Sequence, residues 1–192
     1  TFNLHAALLP QYRGAAPINW AVINGEKATG VTTFMLDEGM DTGKIIYREQ
    51  CMIEPDETVG EVHDKLMEIG SELVVQTVED ILEESIELRV QKSFVQGSEI
   101  LKPAPKLTRE LCHIDWNGKT TNIYNLIRGL SPYPAAFTEL TKDGKTIQMK
   151  IYRTEKITGD AYGQMLASCG LAAAAPGTVL SDGKKFLAIA TR

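Results

Sequence analysis

The sequence predicts an α/β unit followed by a small β-barrel, with an extended linker between them. In the first half, strand-like runs alternate with helix-like runs, which is typical of α/β layers. In the second half the apolar runs become short, and Asp-Gly pairs separate them, which indicates hairpins. We expect the α/β unit over residues 1–90, the linker over 91–106 and the barrel over 107–192.

Three strands are expected in the first half, over residues 2–4, 31–36 and 44–53. The middle one is continuous and apolar, a pattern that suits a strand buried on both faces of a parallel sheet.

Two helices are expected between and after these strands. Pro17 fits the first turn of a short helix, and Gly25 fits the position just past its end. The longer helix is expected over residues 59–83, where apolar residues recur every three or four positions. Thr58 and Glu61 form a capping box at its start.

The linker is marked by two prolines, Pro103 and Pro105, which favour extended backbone. Beyond it we expect one helix, over residues 122–128, and two hairpins. The alanine-rich stretch 161–175 fits either a surface loop or a short helix. The four barrel strands are expected over residues 137–140, 146–152, 179–180 and 186–190.

The composition narrows the classes of function. The formal charge of −5 is divided unevenly: residues 1–106 carry 9 basic and 18 acidic side chains, and residues 107–192 carry 11 and 7. The second half therefore tolerates a polyanion better, although it lacks the strongly basic character of a dedicated nucleic-acid-binding surface.

Other classes are disfavoured by missing patterns. The three cysteines form no CxxC pair, which argues against a zinc site or a disulfide framework and favours reduced thiols in the cytoplasm. Neither GxGxxG nor GxxxxGK[ST] occurs. The start has no secretory leader pattern, and no run is apolar enough for a membrane span, so we expect a soluble cytoplasmic protein.

Polar residues at two places have the chemistry of a catalytic site. Asn3 and His5 are two residues apart on a strand, so their side chains share one side. An amide donor beside an imidazole can stabilise an oxyanion and move a proton. A loop supplies three carboxylates, Asp37, Glu38 and Asp41. One of these carboxylates could orient His5, but spacing alone does not select which one. The spacing is equally compatible with a purely structural role of the loop as a polar turn.

Several short runs in the first half form one ordered set: Asn3-Leu4-His5, Leu8-Leu9-Pro10, Arg13-Gly14-Ala15-Ala16-Pro17-Ile18 and Asp41-Thr42-Gly43. In their order and spacing they resemble the methionyl-tRNA formyltransferase family of folate-dependent formyltransferases. The resemblance continues from Ile127 to Ala136, a stretch similar to the start of the family's C-terminal barrel.

The resemblance implies both a fold and a reaction. The fold is the C-terminal half of a nucleotide-fold-like catalytic domain followed by an OB-like β-barrel. The reaction is formyl transfer from 10-formyltetrahydrofolate to the amino group of initiator methionyl-tRNA, for translation initiation, without a metal. By position, Asn3, His5 and Asp41 match the family's catalytic trio, whereas Asp37 and Glu38 do not.

The resemblance also implies binding partners. Ala7, Leu8, Leu9 and Pro10 match the family's tetrahydrofolate-contacting segment, in which Ser usually stands where this chain has Ala7. The barrel is expected to contact tRNA, and the protein to be a monomer. Compared with the family, the chain is expected to lack the N-terminal half of the catalytic domain and the extreme C-terminus. We therefore expect the isolated chain to bind folate poorly.

Two alternative functions stay open at this point. The same chemistry could act on another amine, such as an aminosugar nucleotide or glycinamide ribonucleotide, and Asn19-Trp20 is compatible with the sugar-modifying relatives. Alternatively, the chain could be a non-catalytic RNA-binding fragment, in which the positively charged second half alone is active.

Overall fold

The first half of the chain folds as a three-stranded sheet covered by helices. The computed structural model describes residues 1–192, except for the side chain of Lys142. Strands β1 (Phe2–His5), β2 (Ala28–Met35) and β3 (Ile45–Met52) lie in the order β1-β2-β3, and helix α1 (Pro17–Ile23) connects the first two. All three predicted strands and this helix are confirmed.

The direction of the central strand differs from the prediction. β2 is antiparallel to both neighbours, with Leu4 opposite Thr33 and Val31 opposite Glu49. The parallel assignment was therefore wrong. A continuous apolar run reports burial on both faces rather than strand direction, and six consecutive residues of β2 are buried.

Helix α2 (Val59–Leu82) covers one face of this sheet and ends one residue before the predicted boundary. The capping box is present: the Thr58 hydroxyl accepts from the Glu61 N–H, and the Glu61 carboxylate accepts from the Thr58 N–H at 2.7 Å. The helix packs closely on the sheet, because the Cα of Gly70 lies against the side chain of Leu4. These contacts fix the face of β1 that carries Leu4, so Asn3 and His5 are on the opposite face.

The second half contains helices α3 (Arg109–Cys112), α4 (Thr120–Leu130) and α5 (Gly159–Ser168). Helix α5 lies in the alanine-rich region whose conformation the sequence left open. Four strands form the two hairpins that the Asp-Gly pairs predicted: β4 (Ala136–Lys142), β5 (Lys145–Ile151), β6 (Val179–Ser181) and β7 (Leu187–Ile189).

The hairpins β4-β5 and β6-β7 are two separate two-stranded sheets. Both hairpins of the expected barrel are therefore present, but no strand of one pairs with a strand of the other in the part of the chain that the structure describes. The short length of β6 and β7, three residues each, limits how far that pairing can extend.

The two halves touch through α1 and α4. The side chain of Asn19 donates to the Gly129 carbonyl at 2.8 Å, and the side chain of Ile23 lies directly beside Gly129. A second contact joins the start of α2 to the end of α4, where Gly60 N–H donates to the Ser131 carbonyl at 3.1 Å. Glycines at both places allow backbones to approach more closely than a side chain would permit.

The residues predicted as a linker pack against the first half. Tyr12 N–H donates to the Lys102 carbonyl at 2.7 Å, and Ala104 N–H donates to the Arg13 carbonyl at 2.8 Å. Ala104 is fully buried in the core of the first half. This segment is extended, as its prolines indicated, but residues 102–104 are held along the Gln11–Ala16 loop.

The close contact between the helices gives a stability prediction. Gly129→Ala would place a Cβ 2.5 Å from Ile23 Cγ1, and overpacking of this kind costs about 1–3 kcal/mol. We expect a lower free energy of unfolding by urea denaturation. The matched control is Gly163→Ala in α5, where the Cβ meets nothing within 4 Å, so helix propensity should raise stability by about 0.5–1 kcal/mol. Equal effects at both positions would contradict the packing argument.

Candidate active site

Strand β1 places Asn3 and His5 on one face of the sheet. His5 lies opposite Thr32 and Asn3 opposite Phe34 on β2, away from the face that α2 covers. The His5 side chain is only 6% exposed, whereas Asn3 is exposed. The strand thus presents one amide open to solvent and one imidazole enclosed by protein, separated by a single intervening residue.

Both ring nitrogens of His5 face oxygen atoms. Nε2 lies 2.8 Å from the Tyr12 carbonyl oxygen. Because a carbonyl only accepts, Nε2 carries a proton in this arrangement. Nδ1 lies 3.8 Å from Asp41 Oδ2, beyond direct hydrogen-bond distance but close enough for an ion pair when the ring is protonated. Protonation at Nδ1 therefore creates the charged ring beside a carboxylate.

The three carboxylates of the loop have different positions. Asp41 Oδ2 accepts from the Gly14 N–H at 2.9 Å while facing His5. Asp37 instead accepts from Gly39 N–H and the Thr42 hydroxyl, and so stabilises the turn of its own loop. Among the described contacts, Asp41 is the carboxylate of this loop that approaches His5.

The Gln11–Ala16 loop supplies the backbone groups that bind His5 and Asp41. Tyr12 supplies the carbonyl that binds His5 and has a left-handed backbone, with φ of 60°. Gly14 supplies the N–H that binds Asp41, has φ of 126°, and lies in van der Waals contact with the backbone of Ala104. The contacts with residues 102–104 therefore fix this loop, and the loop in turn fixes the site.

Gln91 is a site-adjacent residue that the sequence interpretation missed. The residue is 5% exposed, and its side-chain amide donates to the backbone carbonyls of Asp41 and Gly43. Its side-chain oxygen accepts from the Arg13 guanidinium. These contacts join positions 50 and 78 residues apart, so no local pattern could have revealed them.

The four predicted folate-segment residues are enclosed to different degrees. Ala7 and Leu9 are fully buried, and the Thr32 hydroxyl donates to the Ala7 carbonyl and accepts from the Leu9 N–H. Pro10 is also buried, whereas Leu8 is partly exposed and lines an open cavity of about 420 Å³. Side-chain contact with a ligand in that cavity is therefore available through Leu8, and the methyl group of Ala7 is part of the core.

Two models of known families match this chain. The formyl transferase model matches residues 1–78, and the model of the formyl transferase C-terminal domain matches residues 106–192. The chain belongs to the formyl transferase family. The first match contains Asn3, His5 and Asp41, and the second begins just after the buried Ala104.

Curated members of the formyl transferase family are similar to this chain at high identity. A methionyl-tRNA formyltransferase of Azobacteroides pseudotrichonymphae is 52% identical over all of this chain and 56% of that protein. A methionyl-tRNA formyltransferase of Bacteroides thetaiotaomicron is 48% identical over 99% of this chain and 56% of that protein. The chain spans about half the length of the curated relatives it matches.

Solved structures that are similar to this chain are more distant in sequence. The sugar 3N-formyl transferase WlaRD is 25% identical, with a TM-score of 0.57 over 67% of this chain and 45% of that protein. HypX from Aquifex aeolicus, solved with tetrahydrofolic acid, shares the fold at a TM-score of 0.67 and 21% identity, over 100% of this chain and 30% of that one.

Metal-ligand clusters and membrane-spanning helices are two further features for which the structure of this formyl transferase family member gives a result. Within the described residues, no group of three or more His, Cys, Asp or Glu side chains could hold a metal ion. No helix in the described part of the chain is both long and apolar enough to cross a membrane.

The Gly14 contact gives a prediction about the site's frame. Gly14→Ala would strain a left-handed backbone and drive a Cβ into the Ala104 carbonyl, so we expect a loss of more than about 2 kcal/mol in the free energy of unfolding. Gly97→Ala is the control, since Gly97 also has positive φ but open space around it; there the loss should be about 1 kcal/mol. Similar losses in the two variants would show that the Ala104 contact is unimportant.

Proposed function

We propose that this chain carries the catalytic residues of an enzyme that formylates methionyl-tRNA with 10-formyltetrahydrofolate, as a step towards translation initiation. The observation that carries the proposal is the pairing of His5 with Asp41 beside the exposed amide of Asn3. The names and identities of the curated relatives support methionyl-tRNA as the acceptor.

The chemistry requires stabilisation of a tetrahedral intermediate. The methionyl amine donates its lone pair to the formyl carbon, and the carbonyl π electrons move onto oxygen. The Asn3 amide and the Nδ1–H of the protonated His5 ring donate hydrogen bonds to that oxyanion, while Nε2–H stays bound to the Tyr12 carbonyl. The intermediate then collapses: the bond to the folate nitrogen breaks, its electron pair stays on that nitrogen, and the proton lost by the amine replaces the formyl group there.

The surroundings of His5 assign its two nitrogens different tasks. The Tyr12 carbonyl holds Nε2–H and fixes the ring plane. Nδ1 is the atom that gains and releases a proton, and Asp41 stabilises the imidazolium electrostatically across 3.8 Å. That gap is wider than a hydrogen bond, which leaves room for the adjustment that substrate binding produces at catalytic sites.

We further propose how the substrates are distributed over the chain. Folate, the one-carbon donor that the family uses, contacts the Ala7–Pro10 segment through its backbone and the Leu8 side chain. The second half, whose net charge is +4, contacts the tRNA phosphates. In this proposal residues 1–90 are the catalytic part, 91–106 connect, and 107–192 form the tRNA-contacting domain of a cytoplasmic monomer.

A second acceptor class is the natural competitor. A sugar 3N-formyl transferase is among the similar solved structures. Another is an N-formyltransferase of Helicobacter canadensis in complex with dTDP-3-aminofucose, a nucleotide-linked aminosugar that also offers a primary amine. The identity of about 50% to methionyl-tRNA formyltransferases, against 25% to a sugar formyltransferase, favours tRNA.

The direct test is a formylation assay on the full-length protein that contains this chain. With 10-formyltetrahydrofolate as donor, we expect turnover on methionyl-tRNA and at least about 100-fold lower kcat/KM on a nucleotide-linked aminosugar, since a mismatched acceptor forfeits binding in the transition state. Preference for the aminosugar would replace the proposed acceptor. Tight tRNA binding without turnover would indicate an RNA-binding protein instead.

Substitutions in the trio test the mechanism. We expect Asn3→Ala to lower kcat by about 10²–10³-fold, because one oxyanion donor is lost. His5→Ala and Asp41→Asn should lower kcat by about 10²–10⁴-fold, the usual contribution of a proton-transferring group and its support. His63→Ala, at a largely exposed position on α2, is the matched histidine control and should leave kcat unchanged. Wild-type turnover by His5→Ala would refute the mechanism.

A further inference from the structure

Gln91 closes a ring of contacts around the site. Its Nε2 donates to the Asp41 carbonyl at 2.7 Å and the Gly43 carbonyl at 2.9 Å. Its Oε1 accepts from Arg13 Nη2 at 2.6 Å and Nε at 3.1 Å. The ring is completed by Gly14, the neighbour of Arg13, whose N–H donates to Asp41 Oδ2. Asp41 is thus held through its carboxylate and through its own backbone carbonyl.

The Asp41 backbone needs this support. Its φ of 54° lies in the left-handed region, which a non-glycine residue adopts at a cost of about 1–2 kcal/mol. A backbone in that conformation persists only where surrounding contacts hold it, and it relaxes when those contacts are removed. Binding the carbonyls of Asp41 and Gly43 to one buried amide fixes two of the three peptide units that follow the strained backbone.

The chemistry of the position requires a neutral amide. The two carbonyl groups accept hydrogen bonds and need a donor, whereas the Arg13 guanidinium only donates and needs an acceptor. Gln91 meets both requirements with all four of its bonding positions in use. A carboxylate would repel the carbonyls, and an ammonium group would repel Arg13.

The packing of the neighbouring residues makes Gln91 a rigid anchor. It is the first residue of a 3-10 helix (Gln91–Phe94), and Phe94 packs against the buried side chains of Leu9 and Phe34. Residues 102–104 of the same segment bind the Gln11–Ala16 loop. Both ends of the connecting segment therefore contact the loops that hold His5 and Asp41.

We propose that Gln91 is a positioning residue that sets the placement of Asp41 against His5, so that the connection between the two halves contributes to the site through this one buried side chain. This role rests on the proposed formyl transfer. Gln91 acts through Asp41 and does not touch the substrate.

The kinetic test uses Gln91→Met, which keeps the length of the side chain and removes its hydrogen bonds. In the full-length protein we expect kcat to fall about 10–100-fold, with KM for each substrate changed less than about 3-fold, because misplacement of a catalytic group lowers kcat. Gln96→Met is the matched control, an exposed glutamine in the same segment, and should retain wild-type kcat.

A double-mutant cycle separates positioning from general destabilisation. In an Asp41→Asn background, Gln91→Met should lower kcat by less than about 3-fold, since the residue through which Gln91 acts is already disabled. Equal losses in both backgrounds would overturn the proposal. If Gln91→Met does not fold, Gln91→Glu takes its place, because it keeps the Arg13 contact while losing the amide donors.

Hydrogen exchange tests the same role without activity. In Gln91→Met, the Gly14 amide, which donates to Asp41, should exchange at least about 10-fold faster, while amides of the β2–β3 pairing keep their wild-type rates. Unchanged exchange at Gly14 would overturn the positioning role. Failure of the wild-type protein to formylate methionyl-tRNA would instead refute the proposed function, and the exchange result would still decide the role of Gln91.

Discussion

Main-chain hydrogen bonds between the Gln11–Ala16 loop and residues 102–104 underlie the rest of the site. They hold Tyr12 and Gly14 in left-handed conformations that a free loop would not keep. Tyr12 then binds the His5 ring, and Gly14 binds the Asp41 carboxylate. Since His5 and the Asp41 carboxylate are bound by backbone atoms of this loop, the geometry of the site depends on the loop's path.

Burial explains why this frame is rigid. Ala104 has no exposed surface, and the Thr32 hydroxyl joins two main-chain groups of the Ala7–Leu9 turn beneath the site. A buried polar group without a partner costs about 1–3 kcal/mol, so each such contact penalises any alternative path of the loop. The helical contact at Gly129 then fixes the second half against this frame.

Local patterns predicted the parts of the fold that local forces decide. The capping box and apolar periodicity gave helix α2 to within one residue, and Asp143-Gly144 marked the β4-β5 turn. Strand direction, the packing of residues 102–104 and the contacts of Gln91 depend on partners far away in sequence, and no periodicity encodes them. At the site, spacing left three carboxylates equivalent; family resemblance selected Asp41, and the structure brings that residue to His5.

The burial of Ala104 has a consequence for anyone who cuts or recombines this protein. Sequence composition would invite a junction at residue 91, where the regular pattern fades. A chimera joined there would exchange Gln91, Lys102 and Ala104 together with the second half. Residues from another protein would then bind the Gln11–Ala16 loop, which holds His5. The workable junction lies after Ala104, near residue 106, where the second family match begins. A swap made at that point exchanges the second half without disturbing the contacts of the His5 ring.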